Sequence, residues 1–266
     1  MRKHELTVLK IGGSVITDKN GKMAARTKDI DRLAEEIHRS GTQSLIIVHG
    51  GGSFGHPSAQ KYRIKEGFED SSQKIGFSET HNVMTQLNGL LMACLIEHKV
   101  PAVSIAPSSC IITENGRISH FDDSVIINLL KMSFTPVLYG DAVLDTKRGF
   151  TILSGDQLVT SLAIRFNAER IVIGVDVNGL YDADPKTERT ARILSHLNLE
   201  ELKELQGQLC KPKSCDVTGG MLGKIVELLP AAEHCIPITL VNASKPENIC
   251  RVLEGKKVEG TLIAKG

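Results

Sequence analysis

The sequence of 266 residues has few aromatic side chains and no excess of charge of either sign. It contains no Trp, three Tyr and seven Phe, and 32 Lys and Arg stand against 31 Asp and Glu, for a net charge of +1. A nucleic-acid-binding protein is expected to show a basic excess and rings on which bases stack. These two absences therefore argue against a nucleic-acid partner.

Long apolar runs and paired cysteines are absent as well. The longest uninterrupted apolar stretch, Leu90 to Ile96, is far short of the roughly 20 residues that cross a membrane. Lys10 interrupts the first apolar run before the core of a signal peptide could form. The six cysteines are scattered without a CxxC pair, which favours reduced thiols. We therefore expect a cytoplasmic protein with no membrane partner.

Short β-rich apolar runs alternate with segments of helical periodicity along the chain. This alternation predicts an α/β fold with an open, mostly parallel sheet covered on both faces, and the length suits one domain of two lobes. The predicted strands are 6–11, 44–49, 102–106, 136–139, 151–153, 170–175 and 237–242. The predicted helices are 28–40, 72–98, 123–132, 155–167, 219–234 and 246–253, and the segments 61–74 and 182–192 are expected to be irregular.

Glycine clusters fall between predicted strands and helices. In an open α/β sheet, ligands bind beyond the carboxyl ends of the strands, where helix N-termini offer unpaired N–H groups. Glycine lets the backbone approach phosphate oxygens closely. One such turn would serve chain geometry equally well, but four favour an anion-binding site. The clusters are Lys10–Ser14, His49–His56, Ser154–Asp156 and Asp216–Met221.

Two familiar phosphate-binding motifs are incomplete. Gly50, Gly52 and Gly55 match the dinucleotide-binding pattern, but no following strand ends in an acidic residue. The segment Gly219–Ile225 is one residue short of a P-loop and has Ile where a hydroxyl is needed. Neither a dinucleotide-dependent dehydrogenase nor a P-loop NTPase is indicated.

Cationic side chains accompany the glycines. Lys10 precedes the first cluster, Lys19 follows it, His56 closes the second, and Lys224 lies one turn into the helix after the fourth. Each lysine alone could be a solvated surface residue. Because phosphoryl transfer depends chiefly on positioning and charge neutralisation, their joint placement favours that reaction.

Three polar residues allow two interpretations each. His49 ends an apolar strand, and we favour a partly buried histidine that orients the loop over a ligand contact. Asp156 is either a helix-capping carboxylate or a group that orients the lysines. Asp176 either forms an Asx-type turn or belongs to the site. His56 has a clearer prediction, because an imidazole that titrates near neutral pH can neutralise a phosphate monoester.

Taken in order, these motifs resemble the amino acid kinase superfamily over nearly the whole chain. The resemblance rests on Lys10–Ser14, His49–Gly52, Gly140–Asp141, Ser154–Asp156, Asp176–Tyr181 with Asp184–Pro185, and Asp216–Met221 with Lys224. Within the superfamily, the chain resembles the isopentenyl phosphate kinases of the archaeal mevalonate pathway. That finer resemblance rests on Gly50–Pro57, Val100–Ser104, Pro107–Ser109 and Val217–Met221.

The resemblance implies a fold, an assembly and a reaction. The fold is a three-layer α/β/α sandwich over residues 1–266, with an acceptor-binding lobe at about 1–150 and a nucleotide-binding lobe at about 151–266. The assembly is a homodimer. The reaction transfers the γ-phosphoryl group of ATP to isopentenyl phosphate and gives isopentenyl diphosphate. Mg²⁺ would be carried by the nucleotide, with no metal site of the protein's own.

The resemblance also implies roles residue by residue. Lys10, Lys19 and Lys224 would contact the transferring phosphate, His56 would hold the acceptor phosphate, and Asp156 would organise the lysines. Gly51 and Gly155 would donate backbone N–H groups to the acceptor. The remaining nucleotide contacts would come from Gly12, Gly13, Ser14, Gly52, Asp176, Tyr181 and Gly220. Two positions depart from the family pattern, since Asn178 stands where many relatives have Asp and Gly174 where Thr is frequent.

The implied acceptor needs an apolar slot but no strong general base, because its phosphate oxygen is already anionic at neutral pH. We place the slot on one face of the helix at 72–98, and core packing is the alternative for the same stripe. The proposed lining is Phe77, Met84, Leu87 and Leu91.

Two other functions stay open. One is a kinase of the same fold that acts on another phosphate or phosphonate, such as fosfomycin or a nucleoside monophosphate. The other is a non-catalytic sensor of a nucleotide or phosphate. Lys10, Asp156 and Lys224 argue against the sensor, because such a protein needs no cations at a transition state.

Overall fold

The computed structural model describes residues 5–18, 21, 23–183, 188, 190–209 and 219–265. The strands are β1 Thr7–Ile11, β2 Leu45–His49, β3 Ala102–Ser104, β4 Ile111–Glu114, β5 Arg117–Phe121, β6 Thr135–Tyr139, β7 Asp141–Asp145, β8 Gly149–Leu153, β9 Arg170–Val175, β10 His196–Leu197, β11 Ile238–Asn242 and β12 Gly260–Ile263. The helices are α1 Gly13–Ile16, α2 Thr27–Arg39, α3 Gly52–Lys61, α4 Gln73–Glu97, α5 Ser124–Lys131, α6 Gly155–Arg165, α7 Leu199–Leu209, α8 Gly219–Glu233 and α9 Asn248–Leu253.

The main sheet has eight strands in the order β10-β12-β11-β9-β1-β2-β6-β3. Neighbouring strands are parallel except for the antiparallel pair of β11 and β12. Every residue of β1, β2 and β6 is buried, as expected where helices cover both faces of a sheet.

Alternate side chains of the central strands enter two cores. Val8 of β1 packs with α6, α7 and α8 on one face, whereas Leu9 packs with α2, α4 and α9 on the other. The molecule is therefore a three-layer α/β/α sandwich, which confirms the predicted fold class.

A second sheet of four strands, in the order β5-β4-β7-β8, follows from the carboxyl edge of the main sheet. Gly140 alone separates β6 from β7, and β8 leads through Ser154 into α6. The strand predicted at 151–153 lies in this second sheet. The second sheet is joined to the main sheet and its helices through Gly140 and Ser154, and these two connections bring the second sheet beside the glycine turns.

Six helices were predicted, and each is present within a few residues of its expected bounds. Helix α3 was not predicted, since its sequence contains Gly52, Gly55 and Pro57, which have low helix propensity. It forms because it packs on α4, where the thioether of Met84 lies against Gly51 and Gly55. The segment predicted to be irregular after Lys61 contains a short 3₁₀ helix, Ile64–Glu66. Within the described part of the chain, no helix has the length and apolar character needed to cross a membrane.

Candidate active site

Two glycine turns meet at the carboxyl edge of the main sheet. One follows β1 at Gly12 and Gly13, and the other follows the neighbouring strand β2 at Gly50–Gly52. A methyl group on Gly13 would overlap the backbone of Gly52, and one on Gly50 would lie 2.8 Å from the nitrogen of Gly13. Only glycine permits this approach of the two backbones.

The turns present unpaired N–H groups. Gly55 and Phe54 donate to the carbonyl oxygen of Gly51. Among the described residues, the N–H groups of Gly13, Ser14, Gly51 and Gly52 have no hydrogen-bond acceptor. They lie at the N-termini of α1 and α3, where the helix dipole also favours negative charge. The two turns can therefore hold two anionic groups side by side.

A buried ion-pair cluster adjoins these turns. Lys10, near the end of β1, is 3% exposed, and its Nζ donates to Oδ1 of Asp156 at 2.5 Å. Lys224 of α8 donates to Oδ2 of the same carboxylate at 3.2 Å. Three elements far apart in sequence thus bring together three of the predicted site residues.

The charges of this cluster favour an anion. Burial, and then the ammonium group of Lys224, lower the pKa of Lys10 to about 8, although Asp156 acts in the opposite direction. Burial alone would raise the pKa of Asp156, but the two ammonium groups outweigh it and hold that pKa below its usual value. At neutral pH two cations therefore face one carboxylate, which leaves positive charge for phosphate oxygens.

His56 and Gly155 lie around the same cluster. The pKa of the His56 imidazole is lowered, first by partial burial of the ring and then by the charges of Lys224 and Lys10. The side chain as a whole is exposed to solvent. Gly155 begins α6, and a methyl group on it would contact both Cε of Lys10, at 3.5 Å, and the carbonyl oxygen of His49, at 3.4 Å. Both residues can thus reach an anion bound at the turns.

His49 is fully buried, more than the partial burial that we expected. Burial lowers the pKa of its ring to about 4, so the ring is neutral. Its Nδ1 lies 3.2 Å from the carbonyl oxygen of Gly50, its Nε2 lies 3.3 Å from Oδ1 of Asn88, and the ring stacks on Tyr139. The ring lies between the start of the second glycine turn and α4, and as a neutral imidazole with one N–H it donates to one of these two oxygens.

The four residues proposed for the apolar slot occupy different surroundings. Leu87 and Leu91 are fully buried in the core between α4 and the sheet. Met84 lies beneath the second glycine turn, and the half-buried Phe77 packs on Phe150 with ring centroids 5.4 Å apart. Their contact with an acceptor stays a prediction.

The nucleotide end of the predicted site is described in part. Lys19, Asp184, Pro185 and residues 216–218 lie outside the described residues. Asp176 is exposed after β9, Tyr181 forms an isolated bridge with Ile193, and Gly220 belongs to α8.

The structure gives a physical setting for both departures from the family pattern. A methyl group on Gly174 would lie 2.8 Å from Cβ of Ala243, so a larger residue requires the neighbouring segment to shift. Asn178 accepts a hydrogen bond from the amide of Asn242 at 2.9 Å, which ties the loop after β9 to the end of β11.

Thr17 is a residue of this region that the sequence reasoning missed. It is fully buried, and its hydroxyl contacts both glycine turns. A hydroxyl residue one turn after a glycine pair was the available signal.

Comparisons with known proteins agree with this geometry. The sequence model of the amino acid kinase family matches residues 5–242. The isopentenyl phosphate kinase of Methanothermobacter thermautotrophicus is 43% identical over 97% of this chain and 98% of its own. That of Methanocaldococcus jannaschii is 36% identical over 97% and 98%. A crystal structure of an isopentenyl phosphate kinase has a TM-score of 0.86 at 39% identity and covers 97% of this chain and 100% of its own.

The chain belongs to the amino acid kinase family, and the relatives reported above are isopentenyl phosphate kinases. It is therefore a kinase, an enzyme that transfers a phosphoryl group.

Proposed function

We propose that the protein transfers the γ-phosphoryl group of ATP to isopentenyl phosphate and releases isopentenyl diphosphate. The observation that carries this proposal is the Lys10–Asp156–Lys224 cluster beside two facing glycine turns. The names of the relatives support the choice of acceptor.

Each part of the site has a task in this reaction. The ammonium groups of Lys10 and Lys224 stabilise the negative charge that spreads over the transferring phosphoryl group, and Asp156 holds them in place. Lys19 would add a third cation. The backbone around Gly12, Gly13, Ser14 and Gly52 binds the β- and γ-phosphates, while Asp176, Tyr181 and Gly220 lie toward the nucleoside. Mg²⁺ would arrive bound to the nucleotide and neutralise part of its charge.

The acceptor phosphate would lie against His56 and the backbone of Gly51 and Gly155. Its oxygen attacks as an anion, so the enzyme needs to orient the group but not to deprotonate it. The hydrocarbon tail would extend toward Met84 and Phe77 of α4, with Leu87 and Leu91 in the layer beneath.

This proposal extends to the organisation of the protein. Residues at about 1–150 would form the acceptor lobe and those at about 151–266 the nucleotide lobe of one domain. We further propose that the protein is a homodimer in the cytoplasm. Light scattering of the purified protein tests the proposed dimer.

A panel of acceptors tests the function. With ATP and Mg²⁺, we expect turnover of isopentenyl phosphate at a kcat/KM at least about tenfold above that of dimethylallyl phosphate, fosfomycin, UMP or glutamate. A preference for UMP, fosfomycin or glutamate would contradict the proposed acceptor.

His56→Ala tests the acceptor end of the site. Losing a charge-assisted hydrogen bond should raise the KM for isopentenyl phosphate by about 10- to 100-fold, with the KM for ATP nearly unchanged. His120→Ala, which removes an exposed imidazole on β5, is the control. An unchanged acceptor KM in the His56 variant would show that His56 does not bind the acceptor.

A further inference from the structure

We propose that Thr17 is a positioning residue that fixes the distance between the two glycine turns, and thereby between the two phosphate groups. This inference rests on the proposed function, in which the turn after β1 binds the donor phosphates, Gly51 of the turn after β2 binds the acceptor, and Gly52 beside it also reaches the donor phosphates.

The hydroxyl group of Thr17 makes one hydrogen bond to each turn. Oγ1 donates to the carbonyl oxygen of Gly13 at 2.7 Å and accepts from the backbone N–H of Ser53 at 3.0 Å. Thr17 is fully buried, so no solvent competes for either bond. The single hydroxyl hydrogen is used toward the donor-side turn, and a lone pair is used toward the acceptor-side turn.

Steric contact restricts the same place. A methyl group on Gly52 would overlap Oγ1 of Thr17, and Gly52 has a φ of +48°, a left-handed conformation that favours glycine. The two turns and the hydroxyl thus form one close-packed contact, in which a displacement of Thr17 moves Gly52.

The bond to Ser53 also determines which N–H groups are left for ligands. The first N–H groups of α3 lack partners within the helix. Thr17 pairs with that of Ser53, whereas among the described residues those of Gly51 and Gly52 have no acceptor. Of these three N–H groups, those of Gly51 and Gly52 are therefore the ones left for a ligand.

Local helix capping does not account for this arrangement. The carbonyl of Gly13 already accepts the backbone N–H of Thr17 at 2.9 Å, which ends α1 without any help from the side chain. The second bond of the hydroxyl reaches a helix that begins 35 residues later in sequence. It is this second bond that joins the two turns.

The test compares Thr17→Val with Thr17→Ser in the full-length enzyme. Valine keeps the shape but loses both hydrogen bonds, and serine keeps both bonds but loses the methyl group. Misplacement of reacting groups by about 1 Å costs about 100-fold in rate. We expect Thr17→Val to lower kcat by about 30- to 100-fold, with the KM of each substrate within about threefold of the wild type, and Thr17→Ser to stay within about threefold in kcat.

Two results would overturn the inference. A Thr17→Val enzyme with a lower melting temperature but normal kcat per folded molecule would show a purely structural role. Equal losses of kcat in the valine and serine variants would show that the site responds to any change in packing at Thr17 and not to the two hydrogen bonds of the hydroxyl group. If the valine variant does not fold, Thr17→Ala against Thr17→Ser isolates the hydroxyl oxygen, and the same gap in kcat is expected.

The acceptor panel keeps this test separate from that of the function. If the wild type prefers another phosphate acceptor, the proposed function fails, and the ratio of kcat between the valine and serine variants is then measured with that acceptor. A ratio near one refutes the role of Thr17 with either substrate.

Discussion

Asp156, which is partly buried, and Asp141, which is fully buried, each follow the end of a strand, yet the two carboxylates have opposite electrostatic environments. Asp156 stands in the first turn of α6 and contacts the ammonium groups of Lys10 and Lys224. Asp141 begins β7 with a fully buried side chain, and both of its oxygens lie 3.0 Å from Nδ1 of His81.

Burial acts in the same direction on both carboxylates. It is the largest influence on each and raises the pKa. In Asp156 two lysines overcome it, and the pKa is lowered. In Asp141 the imidazole of His81 and the hydrogen bonds from Ser108 do not overcome it, and the pKa is raised. Two full cations outweigh burial where one partly exposed imidazole does not.

The difference separates a chemical role from a structural one. An ionised Asp156 can hold two cations beside the glycine turns. Asp141 accepts hydrogen bonds from the backbone of Ala142 and Ser108 and pairs with His81, so it ties α4 to the second sheet. We expect the two residues to respond differently to the same substitution.

The largest expected effect is on turnover. Asp156→Asn should lower kcat by about 10³-fold, because a neutral amide cannot hold two ammonium groups and leaves Lys10 buried without a counterion. Asp141→Asn should lower kcat by less than about tenfold. Steady-state rates at saturating ATP and isopentenyl phosphate measure both values. Similar losses of kcat in the two variants would show that the two carboxylates do not differ in role and that Asp141 also takes part in the reaction.

The next effect is on the pH dependence of nucleotide capture. Lys10 binds phosphate as a cation, and its pKa of about 8 means that it loses its proton as the pH rises through that value. The kcat/KM for ATP, which reports ionisations of the free enzyme, should therefore decline above about pH 8.

Removing a charge next to Lys10 should move this decline. The ammonium group of Lys224 lowers the pKa of Lys10, so in Lys224→Met the decline should shift to higher pH, while kcat also falls by about 100-fold. Asp141→Asn should leave the midpoint in place. A midpoint that does not respond to Lys224→Met would show that another group titrates.

Much of this site could be predicted from the sequence, because glycine after a buried strand has a local cause. Parallel strands end at one edge of the sheet, so the turns after β1 and β2 must meet there. Lys10 stands directly next to such a turn. Asp156 instead follows β8 of the second sheet, so its approach to Lys10 depends on where that sheet returns the chain to the main sheet.

The elements that were missed had signals of a different kind. The turn between β4 and β5 is Asn115–Gly116, with positive φ at both residues, which is a strong hairpin signal. Helix α7 is preceded by Asn198, which exchanges hydrogen bonds with Glu201 as a capping box. Helix α3 had no such signal, since it is packing on α4, including the contact with Met84, that compensates for its glycines.

The lining of the apolar slot also could not be predicted from helix periodicity. A stripe at Phe77, Met84, Leu87 and Leu91 has the same spacing whether it lines a slot or packs in a core. The position of α4, which extends from the main sheet past the second, decides that Leu87 and Leu91 belong to the core while Met84 and Phe77 lie elsewhere.

The smallest expected effect is on folding stability, and it should have opposite signs for the two carboxylates. A raised pKa in the folded state means that protonation of Asp141 favours folding, so its contribution is present at low pH and lost as the pH rises through that pKa. A lowered pKa means that the contribution of Asp156 is lost as the pH falls.

Urea unfolding from about pH 7.5 to about pH 4.5 measures both contributions to the free energy of unfolding. As the pH falls, the reference protein should gain stability relative to Asp141→Asn and lose it relative to Asp156→Asn. All three proteins carry His81→Gln, which removes the imidazole that pairs with Asp141. If the relative free energy of unfolding changes with pH in the same direction for both variants, the lysines do not overcome the burial of Asp156.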